Sequence, residues 1–348
     1  MQAVAWFADV GIADRPTVGG KGGSLGELTQ AGIAVPPGFV VTTAAFEQFL
    51  ALLEANAPLR ELVEGLDPND LGAATKLSEQ LRALVLEEPM PDDLDTALTQ
   101  AHQQLCADNQ PVAVRSSATT EDAEDASFAG LQDTFLWVLD AASMVQKVRE
   151  CWASLYSVES MTYRRKHAIP EAQVAMAVVV QRMVDAKCAG VMFTRSPTTG
   201  DKSVITIEGA WGLGSAVVSG EVTPDKWVLG KITGEISARD ISDKHARQVP
   251  APGGGIVEVE NDADLRHSPC LTDDELMALR EVGRKVERHY GKPQDIEWAV
   301  DKAGGVVLLQ SRPETVWAVK DAQAKPVAPP SDNPLAHVMG IFGGGARP

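Results

Sequence analysis

The texture of the chain changes near residue 172, and this change limits the folds available to it. Before it, apolar residues recur mostly at helical spacing; after it, short β-rich runs dominate. The spacing predicts helices at 22–31, 44–57, 71–87, 91–108 and 141–166, with strands at 38–42, 112–114 and 134–138. Further strands are expected at 174–181, 190–195, 203–209, 226–230, 256–260, 295–300 and 306–310. Gly32 is placed to stop the first helix. A helix at 272–290 opens on a Thr272/Glu275 capping box, lines one face with Leu276, Leu279, Val282 and Val286, and ends at Gly291. The fold class is therefore mixed α/β (α+β). The 348 residues suffice for two domains. A boundary near Val184 gives an N-terminal lobe over 1–183 and a C-terminal lobe over 184–320. Residues 321–348, with Pro326, Pro329, Pro330 and Pro334 and a glycine-rich end, read as a linker-like tail.

Charge and cysteine usage exclude several function classes. A formal net charge of −17 argues against nucleic acid and against an anionic membrane surface as partners. Cys106, Cys151, Cys188 and Cys270 form no CxxC pair, so neither a zinc site nor a disulfide framework is indicated. The longest apolar run, 174–180, is far below the roughly 20 residues of a membrane span. The N-terminus lacks the basic region of a signal peptide, so the expected location is cytoplasmic.

Three motifs can carry chemistry. The glycine-rich stretch 18–27 places Lys21 before a helix start, where backbone N–H groups and a helix dipole can receive phosphate. It is neither a P-loop nor G-x-G-x-x-G, and the same residues also suit a plain flexible turn. Arg115 ends a strand, followed by Ser116 and Ser117 and by a small-residue loop over 126–134. Such a fork can hold a phosphate chain, or lie on the surface beside a hairpin. The third pairs Asp295 and Glu297, on one face of a strand, with Gln310 and Arg312 on the next. If the strands are neighbours, oxygen ligands for Mg²⁺ and a guanidinium for phosphate converge; otherwise this is the polar face of a sheet. Glu208 ends a strand before the turn at 209–214, which also reads as purely structural.

Order and spacing of the stretches 18–28, 35–39, 114–117, 127–135, 190–195, 211–214, 223–225 and 295–312 resemble the nucleotide-binding domain of the phosphoenolpyruvate synthase and pyruvate phosphate dikinase family, which includes rifampicin phosphotransferases. The resemblance runs from about residue 10 to about 320. It implies an ATP-grasp fold, two lobes sandwiching ATP with Mg²⁺. It implies phosphate contacts for Lys21 and Arg115, and a place for Thr134 beside the triphosphate. Gln181 and Met183 would lie along the adenine and ribose, and Glu208 is a further nucleotide candidate. Glu297 and Gln310 would hold Mg²⁺, and Arg312 would offset phosphate charge, with Lys21 and Arg115 sharing that catalytic role. Gly22 departs from the family's usual asparagine after the lysine.

None of His102, His167, His245, His267, His289 and His337 has the T-x-H-A-like setting of the family's phosphoacceptor histidine. The expectation is a split dikinase-type phosphotransferase, incomplete without a partner subunit that carries the histidine and the small-molecule acceptor. Phenylphosphate synthase is similar in this division of labour, which makes phenol a candidate acceptor. The alternatives are the ATP-binding domain of a phosphoenolpyruvate synthase or rifampicin phosphotransferase, and a non-catalytic nucleotide-sensing regulator.

Overall fold

The computed structural model describes residues 2–119, 122–123, 126–127, 133–317 and 320. Met1–Pro313 form one compact unit and Glu314–Pro348 a second. The first is built on two antiparallel sheets. One comprises β1 (Val4–Trp6), β2 (Gly38–Val41), β3 (Val112–Ala118), β4 (Thr134–Val138) and β5 (Met176–Arg182), in the spatial order β1-β2-β5-β3-β4. The other comprises β6 (Ala186–Phe193), β7 (Val204–Trp211), β8 (Asp225–Gly230), β9 (Ile236–Asp240), β10 (Gln294–Asp301) and β11 (Val306–Pro313), in the order β9-β8-β7-β6-β10-β11. The chain thus passes from one sheet to the other between Arg182 and Ala186.

Strand β5 is apolar on both faces because both are covered. Val178 and Val180 face a core shared with the helices Thr43–Asn56, Leu71–Glu87 and Ala141–Ser154, where Trp152 packs against Phe46 and Phe49. Ala177 and Val179 face the opposite way, against Val18 and Leu25 of the opening helix Arg15–Gln30. Leu28 at the end of that helix, and Ile33 beyond it, enter the core under the second sheet, among Trp227, Trp298, Leu276 and Leu279. One helix therefore contributes to the cores of both sheets.

Several boundaries differ from expectation for local reasons. The opening helix begins at Arg15, not residue 22, and kinks at Gly19 (φ 70°, ψ 177°), a conformation that a side chain rarely tolerates. The span expected at 141–166 is two helices, Ala141–Ser154 and Val158–Lys166, because Ser157 accepts from the Ser160 N–H and caps the second. Strand β3 runs on through Arg115 to Ala118. The helix Asp273–Tyr290 has the capping box and the left-handed Gly291 that its sequence predicts. In the second unit the Trp317 N–H donates to Glu314 Oε1 at 2.7 Å, and Lys320 Nζ lies 4.1 Å from the Trp317 ring centre. The tail expected over 321–348 lies outside the described residues.

Candidate functional site: a cleft between two sheets

The glycine-rich turn is fastened to the strand that carries Arg115. Ser117 Oγ donates to the Val18 carbonyl at 3.0 Å and accepts from the Gly22 N–H at 3.2 Å. A Cβ on Gly19 would lie 2.1 Å from the Ser117 carbonyl oxygen, so only glycine fits. The Gly22 N–H, one of the backbone donors of the glycine-rich stretch, is thus already engaged within the fold. At the far side Ser24 Oγ donates to the Ser311 carbonyl at 2.6 Å, tying the same helix to β11.

Arg115 spans the two sheets. Its Nη2 donates to Glu297 Oε2 at 3.0 Å and to Gln310 Oε1 at 2.6 Å, and its Nη1 donates to the Leu309 carbonyl at 3.3 Å. Glu297 and Gln310 are direct partners across β10 and β11, so their side chains leave the sheet on one face. Val191 of β6 opposes both Glu297 and Glu208, and Lys226 opposes Glu208. A row of Lys226, Glu208, Val191, Glu297 and Gln310 therefore crosses the second sheet. Glu208 is paired with Lys226 at 2.8 Å, and Arg312 Nε lies 3.6 Å from Asp295 Oδ2.

Two cavities open along this row. One, of about 530 Å³, is mostly apolar and is lined by Arg115, Thr134, Gln181, Met183 and Glu297 together with Leu213 and Val218. The other, of about 520 Å³, is walled by Glu208, Asp295, Glu297, Gln310 and Arg312. Glu297 belongs to both. The structure thus brings together every singled-out residue except Lys21, which is half-buried and is not among the described residues of either wall. Thr134 is exposed and directly opposes Arg115 across β3 and β4. The buried Gln181 uses its amide to donate to the Pro36 carbonyl at 3.2 Å. The Met183 N–H donates to the Pro111 carbonyl at 2.9 Å. Burial pushes the Asp133 carboxyl, next to Thr134, above the usual carboxylate range despite nearby Arg82. Of the small-residue loop expected at 126–134, residues 128–132 lie outside the described residues.

Sequence reasoning missed the wall formed by Leu213, Ser215 and Val218. The signal was a pair of glycines, Gly212 (φ 77°) and Gly220 (φ 76°), bracketing a short helix, Ser215–Val218. The expected convergence of Asp295 and Glu297 with Gln310 and Arg312 is met, with Asp295 opposite Arg312 and Glu297 opposite Gln310 across β10 and β11.

Whether the donor set fits a divalent cation can be read from Arg115. Glu297 Oε2 and Gln310 Oε1 converge on one cationic nitrogen, so a positive charge already occupies their common focus. One carboxylate and one amide oxygen suit Mg²⁺, which takes few protein oxygens and completes its shell with water and phosphate. Among the described residues, no group of three or more His, Cys, Asp or Glu forms a metal cage, and no helix is long and apolar enough to cross a membrane.

The family model for the pyruvate phosphate dikinase AMP/ATP-binding domain matches residues 15–332. A probable phosphoenolpyruvate synthase of Methanothermobacter thermautotrophicus is 44% identical over 316 residues, 90% of this chain and 46% of that protein. The phosphoenolpyruvate synthase of Pyrococcus furiosus is 37% identical, over 90% of this chain and 44% of its own length. A rifampicin phosphotransferase of Streptomyces sp is 42% identical, over 88% and 35%. The chain spans less than half the length of these relatives. Among solved structures, D-cycloserine synthetase DcsG aligns over 82% of this chain and 59% of its own at 10% identity, with a TM-score of 0.29. On the family match over residues 15–332 and these relatives, this chain belongs to the pyruvate phosphate dikinase AMP/ATP-binding domain family, a domain that phosphoenolpyruvate synthases and rifampicin phosphotransferases share.

Proposed function

We propose that the chain binds Mg-ATP in this cleft and activates it for phosphoryl transfer to a histidine on another domain or on a separate subunit. Residues 1–183 and 184–320 would serve as the two lobes, a division supported by the change of sheet between Arg182 and Ala186. The adenine and ribose would enter the apolar cavity beside Gln181 and Met183. The triphosphate would run past Arg115 and Thr134 toward Glu208 and Arg312. The observation that carries the proposal is the convergence of Glu297 and Gln310 on Arg115 Nη2.

Glu297 and Gln310 would hold Mg²⁺, which neutralises phosphate charge when bound. The chain's own work is positioning. Arg115 and Arg312 would present planar donors to phosphate oxygens, and the apolar cavity would fix the base and ribose so that the triphosphate is oriented along the row. Phosphoryl transfer depends on such placement and charge neutralisation more than on covalent catalysis. For Lys21 the support is the family resemblance alone. The overall reaction would convert ATP, water and an acceptor to AMP, inorganic phosphate and phosphorylated acceptor.

The split form, in which a second polypeptide supplies the histidine and its acceptor, phenol included, is the finer part of the proposal. A cytoplasmic setting belongs to it, supported by four buried free cysteines. The test follows AMP and phosphate release from Mg-ATP by the purified chain, with and without a histidine-domain protein. AMP formed only with that protein and an acceptor supports the proposal; AMP formed by the chain alone contradicts it.

A further inference from the structure

A β-hairpin, Ala246–Pro250 paired with Ile256–Glu260, belongs to neither large sheet yet touches the site from two directions. Midway along its first strand the Leu213 N–H donates to the Gln248 carbonyl at 3.1 Å, and Gly212 forms a bridge with the same residue. The Gln248 side chain completes the joint: Oε1 accepts from Ser215 Oγ, and Nε2 donates to Glu221 Oε2 at 2.9 Å. These contacts grip both ends of the segment 213–219, whose Leu213, Ser215 and Val218 wall the apolar cavity. The segment is bounded by the left-handed Gly212 and Gly220, its Ala216 packs with Ala210 and Val222, and its polar side-chain tie to the hairpin runs through Gln248.

At its tip the hairpin reaches the other sheet. The Gly255 N–H donates to the Trp137 carbonyl at 3.0 Å, and a Cβ on Gly254 would meet Trp137 O and Leu139 Cγ at 3.4 Å. Trp137 has φ 59°, a left-handed conformation that costs about 1–2 kcal/mol outside glycine and aims its carbonyl at the hairpin. It lies on β4, three residues beyond Thr134 of the same cavity.

We propose that the hairpin is a strut across the nucleotide cavity, and that Gln248 is a positioning residue that sets ATP affinity by holding the wall 213–219 through Ser215 and Glu221. The inference rests on the reading that ATP occupies this cavity. Gln248 is suited to the task because one amide serves a hydroxyl donor and a carboxylate acceptor at once. A carboxylate at 248 keeps the acceptor for Ser215 but faces Glu221 with like charge. Changing Glu221 to glutamine restores a donor.

The experiment compares the whole chain with Gln248→Glu and with the double variant Gln248→Glu/Glu221→Gln. Affinity for a non-hydrolysable ATP analogue with Mg²⁺ is measured by calorimetry, and amide exchange over 213–219 is measured without nucleotide. Q248E is expected to weaken binding roughly tenfold or more, as loss of one hydrogen bond to a charged group does. It should also speed exchange at Leu213 with little change in Tm, and the double variant should recover both. Unchanged affinity and exchange in Q248E overturn the strut, as does a double variant that fails to recover. Wild-type chain that binds no analogue refutes the ATP reading, whereas the exchange data still decide whether Gln248 holds the wall.

Discussion

Arg115 Nη2 lies 3.0 Å from Glu297 Oε2, and this single ion pair joins a strand of the first sheet to a strand of the second. The arginine side chain is only 11% exposed and its fork also serves Gln310 and the Leu309 carbonyl. Replacement by alanine is expected to remove both the cross-sheet tie and the proposed phosphate donor, weakening Mg-ATP binding by about 1.5–3 kcal/mol. Arg115→Lys should not recover it, because an ammonium cannot reproduce the planar fork. Calorimetry on both variants checks this; recovery by lysine would show that charge alone matters.

Gly19 tests the glycine turn. Its backbone lies where other residues are strained by about 1–3 kcal/mol, and a Cβ would collide with the Ser117 carbonyl at 2.1 Å. Gly19→Ala should therefore lower unfolding stability by more than about 2 kcal/mol in urea, whereas Gly253→Ala, with open space around its Cβ, should change it little. Equal effects would contradict the account of the turn.

The buried pair Asp225–Lys244 is a matter of scaffold rather than chemistry. Both side chains are fully buried, 2.6 Å apart, and Asp225 also accepts from the Ser242 and Cys270 N–H groups. Asp225→Ala leaves a buried ammonium without its partner and should cost about 3–5 kcal/mol. Replacing both residues by apolar ones should cost less, a difference that a double-mutant cycle in denaturant measures.

His102 supplies a pH signature. Burial lowers its pKa below the ordinary value of 6.5, with Asp140 countering in part, and its Nε2 is buried without a hydrogen bond. The unfolded chain therefore takes up the proton first as pH falls. The stability tied to neutral His102 is fully present above 6.5 and is lost as pH drops through 6.5 toward the lower folded value. Melting curves from pH 7.5 downward should fall more steeply for wild type than for His102→Leu; parallel curves would contradict the shift.

What the sequence made legible was local chemistry on regular elements. Alternation put Asp295 with Glu297 and Gln310 with Arg312, and β10 and β11 prove to be neighbours in that register. The capping box at Thr272 needed no tertiary information either. What stayed hidden depends on long-range geometry. That Arg115 reaches Glu297, 182 positions away, follows from two sheets facing each other, which no window of sequence contains. The edge strand β9 is exposed and polar along most of its length, so it carries no hydrophobic period. Gln248 acts through contacts made by folding its hairpin back on residues 212–221, and nothing in its neighbours' composition marks it.

The central claim, that Glu297 and Gln310 hold the metal of Mg-ATP in the cleft, is tested most directly by titrating the chain with ATP at increasing Mg²⁺, for wild type and Glu297→Gln. The account predicts that wild-type affinity rises with Mg²⁺ and that the variant loses most of this dependence. A variant whose affinity follows Mg²⁺ as wild type does would place the metal elsewhere and contradict it.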